Sequence, residues 1–326
     1  MKALFIGGNG IISSECSRLA VERGWELTLL NRGVDSTRPP IEGAESLVGD
    51  ATDPGSLRAA VGSRTFDTVV NFRAFTPDQV QADVEIFAGR TGQYVFISSA
   101  SAYRKPVARL PITESTPLRN PFWQYSRDKI ACEDLLVSAY RETDFPATIV
   151  RPSHTYDPTL IPMDGGWTVI DRMRRGRPTV VHGDGTSFWT LTHSRDFAQG
   201  FVPLLADPRL RGEAVHITSD ESLTWDDVAR GLASAAGTTA DIVHVGSSRI
   251  GRAIPEWADG ILGDKAHSLI FDNTKLKSLV PDFAATTTWA RGAREIVDWY
   301  DAHPEQQVVD PDLDATLDQL ASEEKA

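Results

Sequence analysis

The stretch KALFIGGNGIISSECSRLA (residues 2–20) decides the fold class. An apolar run ends in two glycines, and Ile12, Cys16 and Leu19 then follow with helical spacing. A strand that turns through glycines into a helix suits a dinucleotide, because amides at the helix N-terminus can hold a pyrophosphate. A glycine-rich turn without any ligand is the alternative for this motif taken alone. We predict that the following residues contact a cofactor: Gly7, Gly10, Ile11 and Ile12.

Short β-rich runs alternate with helical patterns as far as residue 152, namely ELTLLNR, SLVGD, DTVVNF, QYVFISS and ATIVRP. Strands rich in Val, Ile and Leu between helices predict a doubly wound α/β fold with a parallel sheet. We expect a Rossmann-type dinucleotide-binding domain over 1–155 and a smaller, interleaved substrate domain over 156–304, with segments near 190–220 packing back on the first. Residues 305–326 are acidic and poor in aromatic residues, which predicts a mobile or surface-draped tail.

The composition is that of an ordinary globular protein, with 326 residues, 41% hydrophobic and 24% charged. A net charge of −12 makes nucleic acid an unlikely partner. No apolar run approaches a membrane span or a secretion signal, so we expect a cytoplasmic protein without membrane contact. Cys16 and Cys132 fall on predicted helix faces and are expected to be buried single thiols, and the spacing of histidines and cysteines does not support a metal site.

The ends of the second and third strands bear on cofactor choice. Asn31 and Arg32 follow the second strand, where an Asp or Glu would select NAD and an arginine can meet the 2′-phosphate of NADP. A solvated Arg32, or one stacked on adenine without any 2′ preference, is the alternative. Asp50, followed by Ala51, ends the third strand where a carboxylate could accept from the adenine amine. We therefore predict NADP, with NAD not excluded.

The fourth strand ends in VVNFRAF, which places Phe72 and Arg73 at the same sheet edge. Arg73 is a candidate partner for a cofactor phosphate.

The segment QYSRDK (124–129) sets Tyr125 and Lys129 four residues apart. Both lie on the helical face that continues through Cys132 and Leu136, so both are predicted to face the sheet near the cofactor. A tyrosine of ordinary pKa, about 10, is a poor base at neutral pH, but a nearby ammonium favours the phenolate. A helix pair with its lysine in water is the alternative.

The glycine turn, the strand-end serines Ser98 and Ser99, and the YxxxK spacing together resemble the short-chain dehydrogenase/reductase superfamily. The likeness is to its extended, NAD-dependent epimerase/dehydratase branch, over roughly residues 1–160, and IVRPSHTYDP, GDGTSFW and HITSDESLTWDDV resemble later landmarks of that branch. The resemblance implies that Ser99 hydrogen-bonds the reacting oxygen and that Tyr125 is the acid/base. It further implies that Lys129 holds the nicotinamide ribose and lowers the tyrosine's pKa, that Arg151 and Pro152 lie beside the nicotinamide, and that the protein is a homodimer.

Several positions depart from that branch. Ala100 and Ser101 replace the Asp-Glu pair of the sugar-nucleotide dehydratases, which argues against dehydration. His154 replaces an asparagine, and Trp189 replaces a phosphate-clamping arginine, so we expect a smaller, uncharged or less phosphorylated substrate. Ser101, His154 and Trp189 are thus candidate substrate contacts, although a packed aromatic and a satisfied core histidine are the alternatives for the last two.

The leading interpretation is an NAD(P)-dependent epimerase or oxidoreductase that moves a hydride at a secondary alcohol or ketone of a sugar-like or polyhydroxylated small molecule. The second is an NADPH-dependent ketoreductase acting on a small substrate without a nucleotide. A third, from another class, is a non-catalytic nucleotide- or RNA-binding regulatory member of the superfamily, to which the basic run RMRRGRP (172–178) could contribute. The presence of Ser99, Tyr125 and Lys129 argues against the third.

Overall fold

The computed structural model describes residues 1–33 and 38–325, the last of these as main chain only. Its strands are β1 Lys2–Ile6, β2 Glu26–Asn31, β3 Glu45–Val48, β4 Thr68–Asn71, β5 Tyr94–Ile97, β6 Ala147–Pro152, β7 His154–Tyr156, β8 Thr179–His182, β9 Phe188–Trp189, β10 Leu191–His193, β11 Ala214–Ile217, β12 Leu223–Thr224 and β13 Ile242–Val245. Its α-helices are α1 Ile11–Glu22, α2 Pro54–Val61, α3 Pro77–Phe87, α4 Gln124–Thr143, α5 Trp167–Arg174, α6 Ser194–Phe201, α7 Trp225–Ala235, α8 Ser247–Ala253, α9 Pro255–Gly260, α10 Thr274–Leu279, α11 Trp289–Ala302 and α12 Pro311–Lys325. A π-helical turn, Ile261–Lys265, follows α9.

Seven parallel strands form the central sheet in the order β11-β6-β5-β4-β1-β2-β3. From β1 the chain proceeds outward to β2 and β3, and then crosses to β4 on the other side of β1. Ligands of such sheets bind where this reversal opens a crevice at the carboxyl ends of the strands. The predicted doubly wound α/β fold is therefore confirmed.

Helices cover both faces of this sheet. On one face α1 and α6 pack together through residues such as Cys16 and Phe201, and on the other α2, α3 and α4 bury Leu57, Val80 and Cys132. Both cysteines are buried free thiols. Since both faces are covered, the strands read as continuous apolar runs and not as alternating ones.

The later part of the chain builds a second core above the carboxyl edge of the sheet. Three two-stranded sheets pair β7 with β10, β9 with β12, and β8 with β13. Their side chains pack with α5, α7 and α11 in a core rich in tryptophan, which includes Trp167, Trp189, Trp225 and Trp289. Between these pieces the chain returns to the central sheet as β11. This arrangement encloses space between the sheet edge and the second core.

The C-terminal segment, expected to be a mobile or surface-draped tail, forms helix α12, which lies along the surface with one side packed. One side of α12 buries Leu317, Leu320 and Ala321 against β13 and α8. Its acidic side pairs with the basic run, where Arg172 contacts both Asp314 and Asp318. The acidic composition concealed an apolar stripe with helical spacing. None of the described helices combines the length and apolar character needed to cross a membrane.

Candidate active site

The glycine turn after β1 has little free volume. Gly7 has a φ of +84°, a conformation that favours glycine, and a Cβ placed there would lie 2.3 Å from Cγ of Arg73. Ser13 fixes the turn by accepting from the Gly10 amide (2.7 Å) and donating to the Gly7 carbonyl (2.6 Å). Ser13 occupies the third glycine position of the motif, so its hydroxyl ties the turn to α1 where glycine would only permit close packing.

A cleft of about 270 Å³ opens between this turn and the ends of β2, β3 and β4. Asn9, Leu30, Gly49 and Thr52 form part of its lining. The rest of the lining consists of predicted cofactor residues, namely Gly7, Gly10, Asn31, Arg32, Asp50, Ala51 and Arg73. Bonds from the main-chain amide and hydroxyl of Thr52 lower the pKa of Asp50, and the charges of Arg32 and Arg73 act in the same direction. The cleft therefore holds two guanidinium groups near one carboxylate.

These residues fit a dinucleotide. Ile11 and Ile12 form the first turn of α1, where main-chain amides have no acceptor within the helix. A side chain at position 7 would fill the cradle, and two arginines supply positive charge opposite the helix N-terminus.

Two predicted cofactor residues have their side chains elsewhere. The Phe72 ring packs into the core, edge-on to Phe5 at 5.5 Å and Phe201 at 6.0 Å between centroids. The Ser98 hydroxyl is buried and donates to Glu133 at 2.5 Å. Both side chains therefore pack inside the protein and are not part of the cleft lining.

Ser99 and Tyr125 meet at the carboxyl end of β5. The Ser99 hydroxyl accepts from the Ser101 amide at 3.1 Å and lies 2.9 Å from the Ser101 hydroxyl, which also receives a bond from Ser126 at 2.8 Å. Tyr125 enters from the first turn of α4, and its hydroxyl lies near enough to the Ser99 hydroxyl for the two to interact. The rings of Trp123 and Tyr125 lie 4.9 Å apart, which limits the rotamers open to the phenol.

Lys129 is buried one turn later on α4, but its ammonium does not reach the phenol. It donates to the carbonyls of Ala74 and Ile97, each at 2.7 Å, and lies 5.8 Å from the Tyr125 ring centroid. Burial lowers the pKa of Lys129 to about 8. Two carbonyls hold the ammonium, and the expectation that Lys129 lowers the tyrosine's pKa stays a prediction.

The pKa of Tyr125 is raised, chiefly by burial. The nearby Ser99 hydroxyl acts in the opposite direction, and the negative charge of Asp264 raises the pKa further. At neutral pH the phenol is therefore protonated and is suited to give a proton.

A cavity of about 570 Å³ lies between this pair and the second core. It brings the predicted catalytic and substrate residues together, since its lining includes Ser99, Ser101, Tyr125, Pro152, His154 and Trp189. Lys129 is not among the lining residues.

Trp189 fixes the tautomer of His154. The buried indole donates through Nε1 to His154 Nδ1 at 3.1 Å. Burial lowers the pKa of His154 to about 4, with the charge of Lys265 acting in the same direction. The imidazole is therefore neutral and carries its proton on Nε2, since an indole N–H can only donate. His154 Nε2 has no partner among the described residues, so it can donate to a ligand in the cavity.

Arg151 is a structural residue and not a direct neighbour of the cavity. Its guanidinium binds Glu133 through Nε at 3.0 Å and Nη2 at 2.5 Å, and Nη1 donates to Tyr103 at 3.2 Å. Only the following residue, Pro152, reaches the cavity lining.

Sequence reasoning missed much of the cavity lining, including Trp123, Asp164, Asp264 and Lys265. Trp123 lies two residues before Tyr125 and could have been noticed there, whereas Asp164 lies in a loop, and Asp264 and Lys265 in the π-helical turn, more than 35 residues beyond Tyr125 in the chain. The glycine-bearing loops IPMDGG and GILGDK were the available signals.

Comparisons with known proteins agree with this arrangement. The sequence model described as the NAD dependent epimerase/dehydratase family matches residues 3–217. The 2′-dehydrokanamycin reductase of Streptomyces kanamyceticus is 25% identical over 87% of this chain and 80% of its own length. The chloroplast stem-loop binding protein of 41 kDa b from Arabidopsis thaliana is 27% identical over 74% of this chain and 65% of its own length.

Among solved structures, dTDP-glucose 4,6-dehydratase from Bacillus anthracis in complex with NAD superposes with a TM-score of 0.74. The two sequences are 20% identical, and the match covers 94% of this chain and 98% of the dehydratase. At that identity the match supports the fold alone.

Proposed function

This chain belongs to the NAD-dependent epimerase/dehydratase family, and from that premise we propose that it reduces a carbonyl group of a sugar-like, polyhydroxylated substrate with NADPH. The family makes it an enzyme of the NAD(P)-dependent oxidoreductase and epimerase type. We propose the reductive direction, NADPH as the cofactor and the sugar-like substrate.

The observation that carries the proposal is the position of the Tyr125 phenol beside the Ser99 hydroxyl at the cavity wall. Reduction of a carbonyl needs a proton donor at the oxygen, and a tyrosine is protonated at neutral pH and can give that proton. Ser99 orients the phenol and offers a second hydroxyl to the same oxygen. When bound, NADPH supplies the hydride.

The residues of the nucleotide cleft would hold the cofactor. Gly7 and the amides of Ile11 and Ile12 accommodate the pyrophosphate, while Arg73 supplies a positive charge across it. Arg32 would bind a 2′-phosphate, which supports NADP over NAD, because no carboxylate follows directly after β2.

The cavity supports a substrate without a diphosphate. No arginine occurs among the described residues that line it, and Trp189 at the arginine position uses its only polar atom on His154. His154 Nε2 remains to donate to a substrate hydroxyl or carbonyl. A reductase is also among the relatives, 25% identical over 87% of this chain.

An epimerase is the second candidate, favoured by the Ser99 hydroxyl beside Tyr125. That hydroxyl acts to lower the pKa of Tyr125, although burial outweighs it, and epimerisation needs the same phenol as a base in its first half. An epimerase returns its cofactor unchanged.

An RNA-binding role has less support, although a stem-loop binding protein is among the relatives. The basic run is neutralised by carboxylates, since Arg172 and Arg175 pair with Asp314, and Arg177 pairs with Asp318. Little positive charge is left there for phosphates.

The test is to mix the enzyme with NADPH and a panel of keto-sugars that carry no nucleotide. We expect one NADPH to be oxidised for each alcohol formed. Interconversion of two sugar epimers without net consumption of NADPH would refute the reductase and support the second candidate.

A further inference from the structure

The charges of the substrate cavity are few and can be accounted for individually. Of the described residues that line it, Asp164, Asp264 and Lys265 carry formal charge at neutral pH. Their sum is −1, and the buried ammonium of Lys105, 3.1 Å from Asp264, brings it to 0, so no cation of this lining is left over for a phosphorylated ligand.

The one cation of this lining is already compensated. Lys265 Nζ binds both carboxylate oxygens of Asp164, at 2.5 and 2.7 Å. The main chain of Lys265 is fixed as well, since its carbonyl accepts from His182 Nε2 at 3.0 Å and from Trp225 Nε1 at 3.1 Å. The ammonium of Lys265 is therefore already paired and is not available to bind an anion.

The carboxylate of Asp264 is less fully bonded than that of Asp164. Its Oδ1 lies 3.1 Å from Nζ of the fully buried Lys105, yet neither atom forms a hydrogen bond of acceptable geometry. Its Oδ2 has no hydrogen-bond partner among the described residues, and the side chain is 15% exposed at the cavity wall. Asp264 thus presents a carboxylate oxygen to the cavity with its hydrogen-bonding capacity unused.

Asp264 lies close to the reacting centre. The π-helical turn that carries it packs on the start of α4, where a Cβ on Gly263 would be 2.8 Å from Cβ of Trp123. The charge of Asp264 also acts on the Tyr125 phenol. A group bound by Asp264 would therefore sit beside the carbonyl that Tyr125 protonates.

We propose that the substrate carries a primary amine and that Asp264 binds its ammonium group, so that the enzyme acts on aminated sugars or cyclitols. This inference rests on the proposed function and names the substrate class of the same cavity. An ammonium donates three hydrogen bonds and can give one to the unbonded Oδ2 of Asp264, whose Oδ1 faces Lys105. The ring of Trp123 in the same wall offers a face to a cation or to a sugar ring.

The proximity of Asp264 to Tyr125 gives this contact a chemical consequence. The negative charge of Asp264 disfavours the phenolate that remains after proton transfer to the substrate. A bound ammonium cancels that effect, so an aminated substrate would ease the proton transfer and a neutral one would not.

The test is calorimetric titration of the full-length protein, saturated with NADP⁺, with two amines and their N-acetylated partners. The probes are glucosamine with N-acetylglucosamine, and kanamycin with fully N-acetylated kanamycin, while UDP serves as the anionic probe. Each pair keeps its hydroxyls and differs in charge. We expect at least one amine to bind about 10- to 100-fold more tightly than its acetylated partner, and more weakly as salt is added.

Variants assign the effect to Asp264. Asp264→Asn should remove most of the preference for the amine, whereas Asp259→Asn, which removes the same charge from an exposed site in the preceding helix, should leave it intact. If Asp264→Asn fails to fold because Lys105 is left unpaired, the double variant Lys105→Met/Asp264→Asn restores the charge balance and should show the same loss.

Equal or tighter binding of the acetylated probes, tighter binding of UDP, or no binding of either amine would overturn the inference. NADPH binding and turnover of keto-sugars are measured on the same preparation. Turnover without any preference for an amine removes the inference and leaves the proposed function standing. Absence of NADPH binding removes the proposed function itself.

Discussion

The Tyr125 hydroxyl is the atom on which the proposed chemistry depends. Replacing Tyr125 with Phe should lower kcat by roughly 100- to 10,000-fold, the usual range for loss of a general acid. The Kd for NADPH, read from fluorescence titration, should change little. Tyr140→Phe removes a hydroxyl from the far end of the same helix and should leave kcat unaltered. A Tyr125→Phe variant with normal kcat would contradict the assignment.

Replacing Arg32 and replacing Arg73 should affect the binding of NADPH and NADH differently. Arg32→Ala should weaken NADPH roughly 10- to 100-fold and leave NADH nearly unchanged, because only NADPH carries the 2′-phosphate. Arg73→Ala should weaken both, because its stem lies against Gly7 in the turn shared by both cofactors. Arg23→Ala, at the exposed end of α1, is the control. Equal losses for both cofactors in Arg32→Ala would disprove the 2′ role.

Individual residues were predicted from sequence where their chemistry is local. The glycine turn, Ser99 and Tyr125 each follow from a short motif beside a strand end, and these residues line the cleft or the cavity. The orientation of Lys129 could not be read in this way, because it depends on the carbonyls of Ala74 and Ile97. Asp264 was missed because only the folded chain brings position 264 beside position 125.

The packing of α3 against β4 and β5 buries a carboxyl group behind the nucleotide cleft. Asp83 Oδ2 accepts from Asn71 Nδ2 at 2.6 Å and from Tyr94 at 2.5 Å, and Asn71 Oδ1 in turn accepts from the Arg73 amide at 2.7 Å. Burial raises the pKa of Asp83 from 3.8 to about 7, against the effect of both hydrogen bonds. The strand end that carries Arg73 is therefore tied to an ionisable group.

This burial predicts a pH dependence of the free energy of unfolding. The pKa of Asp83 is higher in the folded protein than in the unfolded chain. Its contribution to the free energy of unfolding is therefore fully present below about pH 4 and is lost as pH rises through about 7. Asp83→Asn should lack this loss, so the free energies of unfolding of wild type and variant should change relative to each other by a few kcal/mol across that window. Urea titrations at several pH values measure it. Asp78→Asn, exposed in the first turn of α3, should follow the wild type, and parallel curves for Asp83→Asn and wild type would contradict the account.

Helix α12 is predicted to be an integral part of the structure. Leu317→Ala should lower the free energy of unfolding by roughly 2–4 kcal/mol, because the leucine is 3% exposed and packs in the core that also holds Ile261 of the Asp264 turn. Gln319→Ala, exposed on the same helix, should cost less than about 0.5 kcal/mol. Urea unfolding measures both. Equal stability of Leu317→Ala and wild type would mean that α12 is not docked in solution.

The elements of the central sheet were predictable, whereas α12 and the short strands of the second core were less so. Runs such as ELTLLN are apolar throughout because helices cover both faces, and that signal is local. The two-residue strands β9 and β12 pair across more than 30 residues and leave no periodicity to read. In α12 the acidic residues outweighed the apolar stripe, although their partners are the arginines of the basic run.

At the level of the whole molecule, the fold separates two tasks. The sheet edge and α1 form the nucleotide cleft, and the second core closes the cavity over Ser99 and Tyr125. The sequence predicted the first task through motifs of the family, because phosphate binding uses main-chain geometry near one glycine turn. The second task uses side chains from distant loops, so substrate choice had to be inferred from the folded cavity.

The most direct test of the account is to identify the cofactor retained by the purified protein and then to titrate NADPH and NADH into the emptied form. We predict a protein that is largely empty as purified and that binds NADPH more tightly than NADH, as a reductase exchanging its cofactor in each turnover requires. Stoichiometric, tightly held NAD together with weak binding of NADPH would contradict it, and would favour the closed redox cycle of an epimerase.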